Sequence, residues 1–436
     1  MVFRSMIKKI ALFLTLAFVL APLQTLHAET SYDRYASLYT EREEPTLLSK
    51  VASNFLTYPF EVVRWPINQG LVFVEKENLL TKGEWIYNKI VDQGITPYLG
   101  FSRIGAEIDF MRLSRQKVRY PDFTLKSWAD FYEGNFFTGG KIGAERILDT
   151  PLRTFTTAQY SYRPEEHFDG IGPDSTRGNG TSYKMMQSSI ETTFGYSKDP
   201  SFSADLKANY RRTEIDNGTD NHRGYIEKNF PVGTIPGIDG DDIFGTGIDL
   251  VRDTRNHQDA STRGYFGHLG YTYNEGVMGS DARYLKLIAE FSDYQQIFSD
   301  RRIFVSHFYY EDNSALANRN VPFFDMARLG GYGSYPSNSK TLRGYDEGRF
   351  YDRDSLLFNF EYRYTVYEYR DFKADTVMFT DIGQTFHRWG QFQGQDFRAS
   401  FGGGVRFSVL GHVLLSLEVA HGDEGTWFYA KNRAPF

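Results

Sequence analysis

The chain is dominated by segments of about 9–16 residues in which apolar and polar residues alternate, beginning at Ile95 and separated by clusters of Gly, Asp, Asn and Pro. In Phe358-Asn359-Phe360-Glu361-Tyr362-Arg363-Tyr364-Thr365-Val366 every even position is apolar and every odd one polar. Val413 to Val419 repeats the pattern with the phase reversed. Arg283 to Tyr294 puts Lys286, Glu290 and Ser292 on one face and Leu285, Leu287, Ala289 and Phe291 on the other. A period of two is that of a strand with one wet and one apolar face. Further strands are expected at 95–101, 104–113, 138–148, 151–162, 183–197, 200–213, 243–254, 262–274, 301–312, 371–386, 396–409 and 426–434. Several exceed the usual soluble strand of about 5–6 residues. Length with one polar face favours a membrane barrel around a wet lumen over a soluble sandwich. These segments number 15, bacterial single-chain barrels have an even count, and the poorly patterned stretch from Gln116 to Phe137 is where another strand can hide. The expected fold is all-β, a transmembrane antiparallel barrel of about 16 strands.

Composition agrees. Aromatics are 17%, with 30 Tyr and 37 Phe, beside 40 Gly. With 24% charged residues the chain is too polar for a bundle of membrane helices. Having no Cys removes disulfides, thiolate zinc sites and a cysteine nucleophile.

Residues 1–28 set the compartment. Arg4, Lys8 and Lys9 precede the apolar run Ile10 to Ala21, and Leu26-His27-Ala28 offers a cleavage site. This is a secretory signal peptide, too short in its core to span a bilayer. Removing it takes three positive charges and no negative ones, so a net charge of -6 becomes -9. An acidic chain without a basic run is not expected to bind nucleic acid. Residues 29–92 read as a periplasmic lead with short helices, since Leu47, Leu48, Val51 and Phe55 have helical spacing in Thr46 to Tyr58. Residues 93–436 are the expected barrel.

The longest interval without a strand pattern runs from about Asp312 to Asp352 and ends in Leu342-Arg343-Gly344-Tyr345-Asp346. An interval of that length inside a barrel is usually a functional loop. In the strand after it, Glu361 belongs to the polar, lumen-facing set. Asp381, in Phe379-Thr380-Asp381-Ile382-Gly383, cannot face lipid, so Phe379 and Gly383 should point inward with it. A loop arginine folded into the lumen could pair with these carboxylates, because its planar fork suits bidentate contact. A solvated loop charge is the equally weighted alternative.

The Arg-Gly-Tyr of this loop, the Asn-x-Glu-Tyr-Arg strand and the Phe-x-Asp-x-Gly strand resemble the surface-antigen superfamily of outer-membrane barrels, of BamA and TamA type. Val251-Arg252-Asp253-Thr254-Arg255 with Thr262-Arg263-Gly264 resembles its mid-barrel hairpin, and Phe168-Asp169-Gly170-Ile171-Gly172 an earlier loop motif. Gly403-Gly404-Val405-Arg406-Phe407 and the final Phe436 resemble its closing strands, although Pro435 would interrupt a ladder there. The resemblance spans about 95–436. It implies the outer membrane of a Gram-negative bacterium and a long extracellular loop tucked inside the barrel. Arg343, Gly344, Tyr345, Glu361, Phe379, Asp381 and Gly383 would form the loop latch, with Arg343 paired to Asp381. The family's periplasmic POTRA modules are not matched by 29–92, which is too short and too helical, so the chain resembles short members without them.

Catalytic and metal groupings are weaker. His387, His412 and His421, with Ser416 and Glu418, lack a nucleophile motif and read as polar lumen or rim residues. Gly402-Gly403-Gly404 follows no phosphate-loop pattern. Asp239, Asp241 and Asp242 around Gly240 read as a solvated turn. Tyr362, Tyr364, Tyr367 and Tyr369 read as lipid-facing girdle residues. No enzyme activity, metal or cofactor is expected. The function so implied is assembly or translocation of polypeptides or lipids into or across the outer membrane. The alternative is a passive structural or pore-forming barrel. Expected partners are outer-membrane lipids, the barrel assembly machinery during biogenesis, and a periplasmic protein or a polypeptide or lipid cargo.

Overall fold

A computed structural model describes residues 89–99, 103–113, 123–132, 134–220, 223–333, 339–369 and 371–436. The expected signal peptide and the expected helix at Thr46 to Tyr58 lie outside these residues, as does nearly all of the expected 29–92 lead.

The described strands form one 17-stranded sheet, of which the two-residue Gly224–Tyr225 is an appendage paired in parallel. The other 16 run as an antiparallel meander. They are β1 (Ile95–Leu99), β2 (Arg103–Asp109), β3 (Phe123–Tyr132), β4 (Asn135–Ala144), β5 (Leu152–Phe168), β6 (Thr181–Asp199), β7 (Phe202–Asn217) and β8 (Asp241–Asp253). The second half is β9 (Gly264–Gly276), β10 (Arg283–Gln296), β11 (Arg302–Ala315), β12 (Asp354–Tyr369), β13 (Phe372–Phe386), β14 (Arg398–Val409), β15 (His412–Gly422) and β16 (Gly425–Lys431). Each pairs with the next, which is the order that short reversals between alternating strands dictate.

The strand hidden between Gln116 and Phe137 is β3. Its Phe123, Leu125 and Phe131 are exposed on the outer face, while Asp130 and Tyr132 are buried inside. Trp128 shares the inner face, and its ring fills the place where Gly139 has no Cβ, 2.5 Å from where one would be. An aromatic in the polar phase breaks the alternation that marks the other strands.

Strand lengths differ around the wall. β5, β6 and β7 have 17, 19 and 16 residues, whereas β1, β2 and β16 have 5, 7 and 7. About 9–11 tilted residues cross a bilayer, so the long strands project beyond it. The connections at 169–180, 218–240, 316–353 and 387–397 share one rim, and most of those on the other, such as Leu410–Gly411, are shorter. Longer loops mark the extracellular side and short turns the periplasmic side.

The segment after β16 corrects an expectation. The last ladder closes at Ser416↔Lys431, so the strand expected at 426–434 ends early and Pro435 interrupts no ladder. Residues 432–436 leave the wall. Thr341 Oγ1 donates to the Pro435 carbonyl at 2.8 Å, and the Phe436 ring stacks on His307 with centroids 4.6 Å apart.

Candidate functional site: the loop inside the barrel

The described residues of the connection 316–353 fold back into the barrel and carry a small sheet of Ala327–Leu329, Ser339–Lys340 and Phe350–Asp352. Two apolar clusters hold it. Toward the extracellular rim, Val321, Phe323, Phe324, Met326 and Tyr351 pack with strand-end and loop residues including Phe168, Tyr183, Ile226, Ile238 and Tyr284. Deeper, Leu329, Leu342, Tyr345 and Phe350 pack on Tyr309 of β11 and Leu357 of β12. Burial of these side chains supplies about 25 cal/mol for each Å² of apolar surface removed from water, enough to seat the loop but not to orient it.

Orientation comes from charge. Arg343 is wholly buried. Its Nε and Nη2 donate to the two oxygens of Asp381 at 2.8 and 2.7 Å, and its backbone N–H reaches Asp381 Oδ2 at 3.0 Å. Nη1 donates to Glu361 Oε2 at 3.0 Å and Glu418 Oε2 at 2.9 Å. The guanidinium lies 3.4 Å from the Phe379 ring centroid, a cation–π contact in a dry place. Two further arginines complete the cluster. Arg406 Nη2 donates to Glu418 Oε1 at 2.6 Å, and Arg363 Nη2 to Glu361 Oε1 at 2.8 Å. Glu361, Asp381 and Glu418 are thus matched by Arg343, Arg363 and Arg406, so the cluster is neutral, as burial of charge requires.

Strand register builds this arrangement. Asn359 pairs with Asp381 and Glu361 with Phe379 across β12 and β13, and Phe379 pairs with Gly402 on β14. A Cβ on Gly402 would lie 2.4 Å from Phe379 Cζ, so the glycine makes room for the ring under Arg343. Gly344 has φ +85°, and a Cβ there would meet Gly422 N and Ser400 Cβ at 2.9 Å, so only glycine allows the loop to touch β14 and β15. Gly344 N donates to Tyr429 Oη at 3.0 Å, and Tyr345 Oη to the Ala399 carbonyl at 3.1 Å. Gly383 lies where a Cβ would press on Leu329 and Leu357 at 3.0 Å.

Beside the cluster, Lys340 and His307 both reach Glu290, at 3.2 and 3.0 Å. Asn359 Nδ2 donates to the Thr341 carbonyl at 2.8 Å, leaving its Oδ1 to accept from His307 Nδ1 at 2.7 Å. Nearer the extracellular rim, Asp346 accepts from Trp427 Nε1 at 2.9 Å and lies 2.8 Å from Arg177 and 3.1 Å from Arg223. Burial opposes its charge, but the indole N–H and the two guanidinium groups hold its carboxyl below the usual range. Arg349 pairs with Glu424 at 2.8 Å and donates to the Ser175 carbonyl at 2.7 Å. The Phe168–Gly172 motif takes part, since Gly172 N donates to the Tyr351 carbonyl at 2.8 Å.

The structure therefore brings Arg343, Glu361, Phe379 and Asp381 into one cluster, with Gly344, Tyr345 and Gly383 around it. Sequence reasoning missed Arg406, the place of Glu418, and Tyr332 of the loop, whose Oη donates to Glu418 Oε1 at 3.0 Å. The available signal was phase, because Arg406, Ser416 and Glu418 share the inner face of β14 and β15. The histidines do not assemble. His412 contacts Asp259, His421 contacts Thr426 and His387 contacts Asp352, while Ser416 donates to Glu418. Asp241 and Asp242 accept from different partners, Ser280 and Tyr210.

Residues 123–418, two thirds of the chain and all of this cluster, match the Omp85 superfamily domain. The chain belongs to the Omp85 superfamily. The resemblance carried by the loop motif and the strands after it is thus a family relationship, and the protein is a Gram-negative outer-membrane β-barrel. Among solved structures it is similar to BamA from Haemophilus ducreyi lacking POTRA domains 1–3, with TM-score 0.54 and 14% identity over 75% of this chain and 65% of that one. It is also similar to CdiB from Escherichia coli, with TM-score 0.45 and 10% identity over 76% of this chain and 58% of that one. The chain thus spans just under two thirds of the BamA chain it matches. No curated protein matches it.

Proposed function

We propose that this Omp85 protein assembles or translocates polypeptides or lipids at the outer membrane, with the Arg343 cluster as the latch that seats the loop 316–353 in the lumen. The carrying observation is the complete burial of Arg343 among three carboxylates. A passive pore gains nothing from filling its own lumen with a charged loop. The short edge strands favour the same reading: β1 and β16, the ends of the described ladder order, are too short to match a bilayer, which suits cargo that must enter the membrane beside the wall. On this reading the latch is Arg343, Gly344, Tyr345, Glu361, Phe379, Asp381 and Gly383, joined by Arg406 and Glu418. No step needs a cofactor or a catalytic residue. Residues 29–92 serve as a periplasmic lead, and a separate periplasmic protein delivers the client. The barrel itself is inserted by the barrel assembly machinery.

Depletion of the protein followed by quantitative analysis of outer-membrane proteins and lipids tests this. A specific protein or lipid class should vanish from the outer membrane. An unchanged inventory together with slower solute uptake would establish the passive-pore alternative instead.

A further inference from the structure

The hairpin between β8 and β9, residues 254–263, has a role the loop latch does not use. Its near end is braced mainly by short-range bonds. Arg255 Nε and Nη2 donate to Asp253 at 3.0 and 2.8 Å, and Asn256 Oδ1 accepts from Thr262 N at 3.0 Å, Arg263 N at 3.3 Å and Ser261 Oγ at 2.9 Å. Its far end lies against a distant part of the wall. Ala260 N donates to the Gly411 carbonyl at 3.0 Å, and Asp259 Oδ2 lies 3.1 Å from His412 Nδ1. A Cβ on Gly411 would meet the His257 ring at 2.1 Å. Gly411 is in the β14–β15 reversal, six strands further along the meander, so the hairpin crosses the periplasmic mouth to reach it. Between these ends stands Arg363 of β12. Its Nη1 donates to the Ser261 carbonyl at 3.3 Å and its Nη2 to Glu361 of the Arg343 cluster at 2.8 Å. Ser261, although in a rim loop, is 1% exposed.

We propose that this hairpin is a strap across the periplasmic mouth of the lumen, and that Arg363 makes seating of the strap and seating of the loop one coupled event. The guanidinium spends one arm on the strap and another on the cluster. Lifting the strap removes the carbonyl that aims Arg363 at Glu361, and Glu361 is shared with Arg343. Anything entering the lumen from the periplasm must lift the strap first, and lifting it loosens the latch. The coupling between strap and loop does not depend on which cargo enters.

The absence of cysteine allows a direct test. Ala420, on the inner face of β15 and 1% exposed, is changed to Cys, and its labelling by a water-soluble maleimide is timed in the full-length protein in proteoliposomes. Two strap variants are compared: residues 257–261 replaced by two glycines, and the pair Asp259→Ala with His412→Ala. If the strap holds the loop, the shortened strap raises the labelling rate about tenfold and the alanine pair severalfold, because local opening sets access. Asp381→Ala should raise it similarly, and combining it with a strap variant should add little. Rates within about twofold of the parent for both strap variants would overturn the proposal. Rates that multiply with Asp381→Ala would overturn the coupling through Arg363. Should the shortened strap fail to fold, the alanine pair decides, since these side chains are 41% and 70% exposed and their loss leaves the wall intact.

Discussion

The Arg343 guanidinium is ringed by three carboxylates with the Phe379 ring on one face, which makes the cost of removing it predictable. Breaking a buried pair from one side leaves the other charge unpaired, at about 3–5 kcal/mol. Arg343→Ala should therefore lower unfolding stability in detergent by about that amount, less where water reaches the vacated site, and Asp381→Ala should match it. Arg343→Lys should also be impaired, because an ammonium cannot hold both oxygens of Asp381 and still reach Glu361 and Glu418. Equal urea midpoints for Arg343→Lys and the parent would mean that the bidentate contact contributes nothing. Gly344→Ala should cost about 1–3 kcal/mol through its left-handed backbone and its contact with Ser400. Asp346→Asn should leave the deep cluster intact but loosen the loop at the extracellular rim, seen as faster proteolysis of the loop with an unchanged unfolding midpoint.

Elements explain what the sequence could and could not disclose. Gly402→Val would drive the Phe379 ring off Arg343, and should mimic loss of the latch although residue 402 makes no polar contact with it. A Gly402→Val protein whose unfolding midpoint equals the parent's would contradict that. Strand phase made Glu361 and Asp381 legible as inward carboxylates, since a charged residue facing lipid is costly. Phase also placed Arg406 and Glu418 inside, but which inward charges meet depends on register across β13, β14 and β15, and no local pattern encodes that. β3 was obscured by Trp128, an inward aromatic that tertiary packing on Gly139 explains. The strand expected to reach 434 stops at Lys431, and the sequence did not show it because the contacts that draw Arg433, Pro435 and Phe436 away, to Tyr332, Thr341 and His307, are all long-range. Deletion of residues 29–90 tests the lead in turn. The barrel should still assemble and show heat-modifiable mobility in gels, since the described ladders begin at Ile95. Failure to fold would make the lead part of the barrel.

At the scale of the whole molecule, the apolar cap at the extracellular rim and the loop in the lumen lie along one path, and the proposed strap would close that path at the periplasmic mouth. Closing a lumen in this way suits a barrel that opens on demand and does not suit a constant pore. Recording current through the purified full-length protein in planar bilayers tests this most directly. A low, mostly closed baseline is expected, with frequent openings once Arg343→Ala or Asp381→Ala is introduced and no further increase in the double variant. A steady, large conductance in the unaltered protein, unchanged by either substitution, would contradict it.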